Sequence, residues 1–181
     1  MKSGIAIHTP NSNITKRMYI FLIITASPLL ILLAIDLYNT ESYLLYNLTS
    51  ISNSLSTLHS VTNLPMSSIM SAYCKTAPVW AFIFVLFSYK KLHLKTDHPK
   101  LLLTKTLILF SILYFGVVSL LAFNNVELSE SGRLMRVMSA NNYLLTLLFI
   151  AIFSVVFIFT TYYVFFIYAF YKTVNSTKTA H

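Results

Sequence analysis

Side chains capable of acid–base, nucleophilic or metal chemistry are few in this sequence and lie far apart. His93, Asp97 and His98 come nearest to a metal-ligand group, but their stretch is basic and no second ligand cluster accompanies it. The sequence has no H-E-x-x-H and no G-x-S-x-G motif, and Cys74 has no obvious partner base. We therefore expect no enzyme, no metal or cofactor site and no small-molecule substrate.

The overall composition excludes a soluble domain. The chain has 181 residues, of which 56% are hydrophobic and only 10% are charged, with a mean hydropathy of +0.71. An average soluble domain carries about 25% charged residues, so this chain lacks the polar groups to cover a water-facing surface. The net charge of +8 would suggest nucleic acid in a soluble protein. In an apolar chain it is typical of the inside-facing charge of a membrane protein, and we expect no nucleic-acid partner.

Four apolar segments are long enough to cross about 30 Å of hydrocarbon. They predict transmembrane helices at about residues 18–36, 72–89, 102–124 and 143–170, with outer loops at 37–71 and 125–142 and a cytoplasmic loop at 90–101. A short helix is expected near Tyr43–Leu48, inside the first loop. Pro28 is expected to kink the first span, and Pro78 to lie in the first turn of the second. The predicted fold class is all-α: a four-helix membrane bundle forming one domain over residues 1–181.

The distribution of Lys and Arg among the loops predicts the orientation. Alternate segments carry nine basic residues against two, and the richer side is expected to be cytoplasmic. The nine are Lys2, Lys16, Arg17, Lys90, Lys91, Lys95, Lys100, Lys172 and Lys178. Both termini are therefore predicted to be cytoplasmic, in a multi-pass membrane protein.

Asp36 and Lys75 are opposite charges predicted near the same membrane boundary. Lys75 lies 15 residues before Lys90, about 22 Å along a helix axis, and Asp36 lies 19 residues after Arg17, about 28 Å. Both distances predict the outer side, where the two charges can meet between the first and second spans. Charged residues inside membranes are frequently functional, which favours a recognition role. The alternative is that Lys75 extends to the headgroups and Asp36 simply ends its helix.

The second outer loop is unlike a plain connector. Ser131 can cap a short helix on which Arg133 and Arg136 share one face, by their i,i+3 spacing. Apolar residues around them suit a segment lying in the membrane interface. Glu127 lies in the same loop. Two interpretations stay open: a binding role for the arginines, or pairing of the arginines with glutamates and lipid headgroups.

The end of the fourth span is crowded with nine Phe and Tyr residues between positions 157 and 171. Aromatic residues concentrate at membrane interfaces, so an inner-leaflet belt is the first interpretation. A docking surface for another membrane helix is the alternative.

Two of these stretches resemble a known family. Tyr73-Cys-Lys-Thr-Ala-Pro78 and Glu127-Leu-x-x-x-Gly-Arg-x-x-Arg-x-Met138 are similar to segments of the immunity proteins of A-type pore-forming colicins, which also have four spans and a proline in the first. The resemblance implies a multi-pass protein of a bacterial inner membrane that protects the producing cell. Such a protein binds the pore-forming domain of its cognate colicin in the inner membrane and blocks channel opening. The candidate recognition residues are then Asp36, Lys75, Glu127, Arg133 and Arg136, and the partners are this toxin domain and the lipid bilayer.

The alternative function is a small membrane transporter or channel subunit, which would need a polar path through the bundle.

Overall fold

The computed structural model describes residues 12–38, 43–52, 57–89, 100–123, 126–128 and 130–176. Every regular element within these residues is a helix. His59 and Glu127 form an isolated β-bridge outside the helices. The helices are α1 (Ser12–Tyr38), α2 (Tyr43–Ser52), α3 (Leu64–Cys74), α4 (Ala77–Ser88), α5 (Lys100–Phe123), α6 (Arg133–Ser139) and α7 (Asn142–Ser176). The first loop therefore does contain the expected short helix, α2. Most of the predicted cytoplasmic loop, with His93, Asp97 and His98, lies outside the described residues.

Four helical stretches are long and apolar enough to cross a membrane, as predicted: Asn13–Tyr38, Leu64–Ser88, Leu103–Leu121 and Asn142–Val174. The second differs most from its prediction, because it begins at Leu64 rather than near residue 72. Its first part, α3, contains Ser67, Ser68 and Ser71, which make it look like a polar loop. All three serines are buried against the protein and hydrogen-bonded there, so they are not exposed to lipid.

Two prolines shape the first two crossings. Pro28 lies inside α1, where a missing N–H leaves the carbonyl of Ile24 without its usual donor. The Ser27 hydroxyl donates to that carbonyl at 2.7 Å. Pro78 lies at the start of α4, so its missing N–H falls opposite the end of α3. The two linking residues both keep right-handed helical angles, so α3 and α4 form one crossing with a break.

The core forms around α7, which packs against α1, α3, α4, α5 and α6. Phe149, Phe153 and Phe157 follow one another at four-residue intervals along one face of α7, and all three are fully buried. The ring of Phe153 stacks on Tyr73 of α3 with 5.5 Å between centroids, and Phe157 stacks on Phe21 of α1 at 6.0 Å. These rings join α1, α3 and α7 into one packed unit.

The aromatic residues in the second half of α7 pack within the protein more than the predicted interfacial belt implies. Phe157 is fully buried and Tyr163 nearly so. Tyr163 stacks on Tyr114 of α5 at 4.2 Å, and Phe159 meets Phe110 of α5 edge-on at 4.9 Å. The belt interpretation is therefore wrong for these three residues. It failed because α7 is the central helix, with neighbours on several sides.

Candidate functional site

Asp36 and two asparagines tie three crossings together at one end of the bundle. The carboxylate of Asp36, on α1, accepts a hydrogen bond from Asn142 Nδ2 at 2.7 Å and another from Asn63 Nδ2 at 3.4 Å. Asn63 also donates to Asn142 Oδ1 at 3.0 Å. Asp36 is only 4% exposed. We call Asp36, Asn63 and Asn142 the Asp36 cluster, and this end of the bundle the Asp36 end.

The sequence explains why these asparagines lie there. Asn63 is the N-cap of α3: its side chain accepts from the N–H of Met66 and proline follows at the helix start, a common arrangement at helix N-termini. Asn142 is the first residue of α7. Because α1 ends where α3 and α7 begin, the three polar side chains meet. Asp36 therefore has a structural role in the packing, and the expected meeting with Lys75 is replaced by bonds to these amides.

Glu127 lies beside the first loop at the same end. His59 N donates to the carbonyl of Val126 at 3.2 Å, and Leu128 N donates to the carbonyl of His59 at 2.9 Å, so the two predicted outer loops are joined by their backbones. Ser60 adds a hydrogen bond from its hydroxyl to the carbonyl of Ser139 at 3.1 Å. The two loops thus lie at the same end of the bundle. This agrees with the two crossings, the second and the third, that separate them along the chain. Glu127 is half-buried in this joint.

The short helix predicted around the two arginines exists as α6, but its cap differs from the prediction. The N-cap residue is Gly132, with a φ of 130°, which favours glycine, and no side-chain cap bond forms there. Ser131 instead donates its hydroxyl to the carbonyl of Glu127 at 2.9 Å. A cap at Ser131 was therefore wrong, because the chain turns at Gly132 before the helix begins.

Arg133 and Arg136 are both exposed on α6. Leu134 and Val137 are 65% and 57% exposed beside them. A shallow groove of about 450 Å³ runs between α6 and the first turns of α7, lined by Arg133, Leu134, Val137, Met138 and Leu144. The helix therefore presents a basic and an apolar surface together, as in segments that lie in a membrane interface.

Lys75 lies much deeper than the sequence predicts. It is twelve residues beyond Asn63, about 18 Å along the helix axis, and thirteen residues before Ser88, about 20 Å. A contact to α1 supports this depth. Tyr73 donates its hydroxyl to the carbonyl of Thr25 at 2.6 Å, and Thr25 lies eleven residues before Asp36, well inside the first crossing. The outer-boundary position was wrong because the second crossing starts at Leu64. Lys75 is half-buried, at the break between α3 and α4 near the middle of the bundle.

The five candidate residues thus fall into two places. Asp36, Glu127, Arg133 and Arg136 lie at the Asp36 end, and Lys75 lies alone among them at mid-height. Asn63 and Asn142 were not among the predicted site residues. An asparagine followed by Leu-Pro is a recognisable helix start, so the position of Asn63 could have been predicted. Its hydrogen bond to Asn142, 79 residues away, could not. In the part of the chain that the structure describes, no group of His, Cys, Asp and Glu side chains could hold a metal ion.

Comparison with known proteins shows similarity to colicin immunity proteins. Residues 41–177 match the family model described as colicin immunity protein, and this stretch contains both motifs noted above. The chain is 33% identical to the colicin-A immunity protein of Citrobacter freundii, over 87% of this chain and 88% of that protein. It is 28% identical to the colicin-B immunity protein of Escherichia coli, over 81% and 83% of the two chains. No solved structure shows significant similarity.

Proposed function

The chain belongs to the colicin immunity protein family, and we propose that it protects the cell that makes it from one pore-forming colicin of the A type. The observation that carries this function is the similarity to an immunity protein over 87% of the chain, together with four helices able to cross a membrane. Its role is bacteriocin immunity. The alternative of a transporter or channel subunit is not favoured by any of these relatives.

We further propose that the partner is the pore-forming domain of the colicin and that binding in the inner membrane blocks channel opening. A multi-pass protein with short loops offers most of its surface within the bilayer, which supports recognition of membrane-inserted helices. The lipid bilayer is the second partner. The relatives are named as immunity proteins, so no catalytic step is part of this proposal.

The proposed orientation places both termini in the cytoplasm and the Asp36 end outside. The excess of Lys and Arg in alternate segments supports it. A reporter enzyme active only in the periplasm, fused after Ser176, is expected to be inactive, and the same reporter inserted after Gly132 is expected to be active. Activity after Ser176 would contradict the proposed orientation.

Among the candidate recognition residues, we assign Glu127, Arg133 and Arg136 to first contact with an arriving toxin. They lie at the proposed outer end, and the two arginines are exposed. Lys75 is assigned to contact within the membrane. Asp36 is assigned a structural role, because its carboxylate is buried and bonded to Asn63 and Asn142.

Expression in a sensitive bacterium, followed by challenge with a panel of pore-forming colicins, tests the proposed function. We expect selective survival against one A-type toxin, with no protection against a nuclease colicin. A chain that reaches the membrane in normal amounts and protects against no A-type toxin would overturn the proposal. Flux of a specific substrate into vesicles would favour the transporter instead.

A further inference from the structure

A groove opens on the side of the bundle between α4 and α5, with α7 as its floor. Its volume is about 750 Å³. Val79 and Phe82 of α4, which are 60% and 52% exposed, form one wall, and Tyr114 of α5 forms part of the other. Both walls belong to stretches able to cross a membrane, so the groove opens toward lipid. An occupant of the groove therefore comes from the membrane.

The groove covers only one half of the membrane depth. Its floor on α7 runs from Thr160 to Tyr171, eleven residues or about 16 Å along the helix axis. On α4 the groove begins at Pro78, next to the break near mid-height. The hydrocarbon of a bilayer is about 30 Å thick, so this length corresponds to one leaflet. A helix that spans the membrane would extend far beyond the groove, whereas an acyl chain of one leaflet matches its length.

The groove ends at the membrane interface opposite the Asp36 cluster. Tyr168, near this end, meets Tyr89 edge-on with 5.8 Å between ring centroids, and Tyr89 directly follows the last residue of α4. Tyr171 lies almost one turn further on and is 64% exposed. Tyrosines, with an apolar ring and a hydroxyl that can donate a hydrogen bond, are typical of the lipid headgroup region. The groove thus leads from apolar side chains near mid-height to hydroxyl groups beside the headgroups.

A positive charge continues the floor of the groove beyond the tyrosines. Val164, Tyr168 and Lys172 follow one another at four-residue intervals, which places them on one face of α7. Lys172 is exposed. The apolar stem of a lysine can lie along such a surface while its ammonium group reaches the headgroups. Lysines in this position attract anionic lipids.

The charges at the two ends of the bundle favour an anionic headgroup at this end. Among the described residues, the acidic ones are Asp36, Glu127 and Glu130, and all three lie at the Asp36 end. Lys105 lies at the opposite end, as Lys172 does. A phosphate group at the end of the groove therefore meets basic side chains, and the described carboxylates lie across the membrane from it.

We propose that the groove between α4 and α5 holds one acyl chain of an anionic phospholipid, with the phosphate group beside Tyr168, Tyr171 and Lys172. The lipid belongs to the leaflet at the end opposite the Asp36 cluster. Because α5 packs mainly against α7, a lipid in this groove adds a contact between α5 and α4. The site is a property of the bundle in its membrane and does not depend on a colicin.

Native mass spectrometry of the purified chain in detergent micelles tests the headgroup. Dioleoyl phosphatidylglycerol is added as the anionic probe and dioleoyl phosphatidylcholine as the zwitterionic one. We expect one phosphatidylglycerol molecule to stay bound to each chain and phosphatidylcholine to bind more weakly. Lys172→Ala is expected to weaken phosphatidylglycerol binding about 5-fold, the effect of one lysine near anionic lipid.

Lys16→Ala is the matched control for this substitution, since Lys16 is an exposed lysine at the same end of the bundle, on α1 outside the groove. Its phosphatidylglycerol binding should stay near that of the wild type. Equal binding of the two lipids by the wild type, or an equal loss in Lys172→Ala and Lys16→Ala, would overturn the pairing of the headgroup with Lys172.

Ile167→Trp tests the groove itself. Ile167 lies on the floor and is 40% exposed, so the larger side chain fills the groove. We expect the bound phosphatidylglycerol to be lost, together with the rise in melting temperature that this lipid gives the wild type. Leu147→Trp, at a residue of α7 that is 58% exposed and outside the groove, should keep both. Equal retention by the two variants, or a wild type that binds no phosphatidylglycerol, would overturn the proposal. If Ile167→Trp does not accumulate, the comparison of Lys172→Ala with Lys16→Ala decides.

Discussion

Two sides of the bundle are built differently. α1, the α3–α4 crossing and α7 pack on one another and share buried polar bonds, including the Asp36 cluster and the bond from Tyr73 to Thr25. α5 has no buried residue in its membrane-length window and is held mainly against α7. The difference indicates a fixed three-crossing core with a fourth helix attached along one face.

Aromatic rings form part of the attachment of α5, and Leu121 adds an aliphatic contact with the core. Phe110 and Tyr114 contact Phe159 and Tyr163 of α7, and one hydroxyl bond joins Tyr163 to Ser111. Such ring pairs are each worth about 0.5–1.5 kcal/mol beyond their buried area. Because α5 packs mainly against one helix, α7, we expect its displacement to cost less free energy than separation of the core helices.

The largest expected effect is in the core. Phe153→Ala removes a fully buried ring that stacks on Tyr73 and Phe157, and we expect the free energy of unfolding to fall by about 3–5 kcal/mol. Leu109→Ala on the exposed face of α5 is the control, with an expected change within about 0.5 kcal/mol. Denaturant unfolding in detergent micelles measures both. Equal losses for the two variants would contradict the distinction between core and α5.

The Asp36 cluster is expected to be the next most sensitive. Asp36→Ala removes the carboxylate that accepts from Asn142 and one of the acceptors of Asn63, at a cost of about 1–3 kcal/mol. Asp36→Asn keeps a carbonyl acceptor in the same place and should cost less. The same unfolding measurement compares them. A stability unchanged in both variants would show that the cluster does not hold the three crossings together.

The smallest effect is expected at the seam between α5 and α7. Tyr163→Phe removes the hydroxyl bond to Ser111 but keeps the ring, and hydrogen bonds between membrane helices average about 0.6 kcal/mol. Tyr162→Phe, at a neighbouring half-exposed ring, is the control. Spin labels on α5 and α4 should report a broader distance distribution for Tyr163→Phe only. If Tyr163→Phe lowered the free energy of unfolding by more than about 2 kcal/mol, α5 would be held as firmly as the core helices.

The sequence predicted the number of crossings, since apolar length is read directly from hydropathy. It did not predict where the second begins, because three serines of α3 bond to the first loop instead of facing lipid. The depth of Lys75 was misjudged for the same reason.

The site at the Asp36 end was predictable only in part. Charged residues in the loops marked it, and Asp36, Glu127 and the two arginines do lie there. The bond from Asp36 to Asn142 joins residues 106 positions apart, and no local pattern in one sequence specifies such a pairing.

We propose that protection takes effect at the channel and not during toxin entry. It is tested most directly by measuring potassium efflux and the amount of toxin in the membrane fraction of the same cells, with and without the chain, after colicin addition. We expect equal amounts of toxin in the membranes of both kinds of cell, with potassium efflux only from cells lacking the chain. Protected cells whose membranes contain no toxin would contradict it, because protection would then precede insertion.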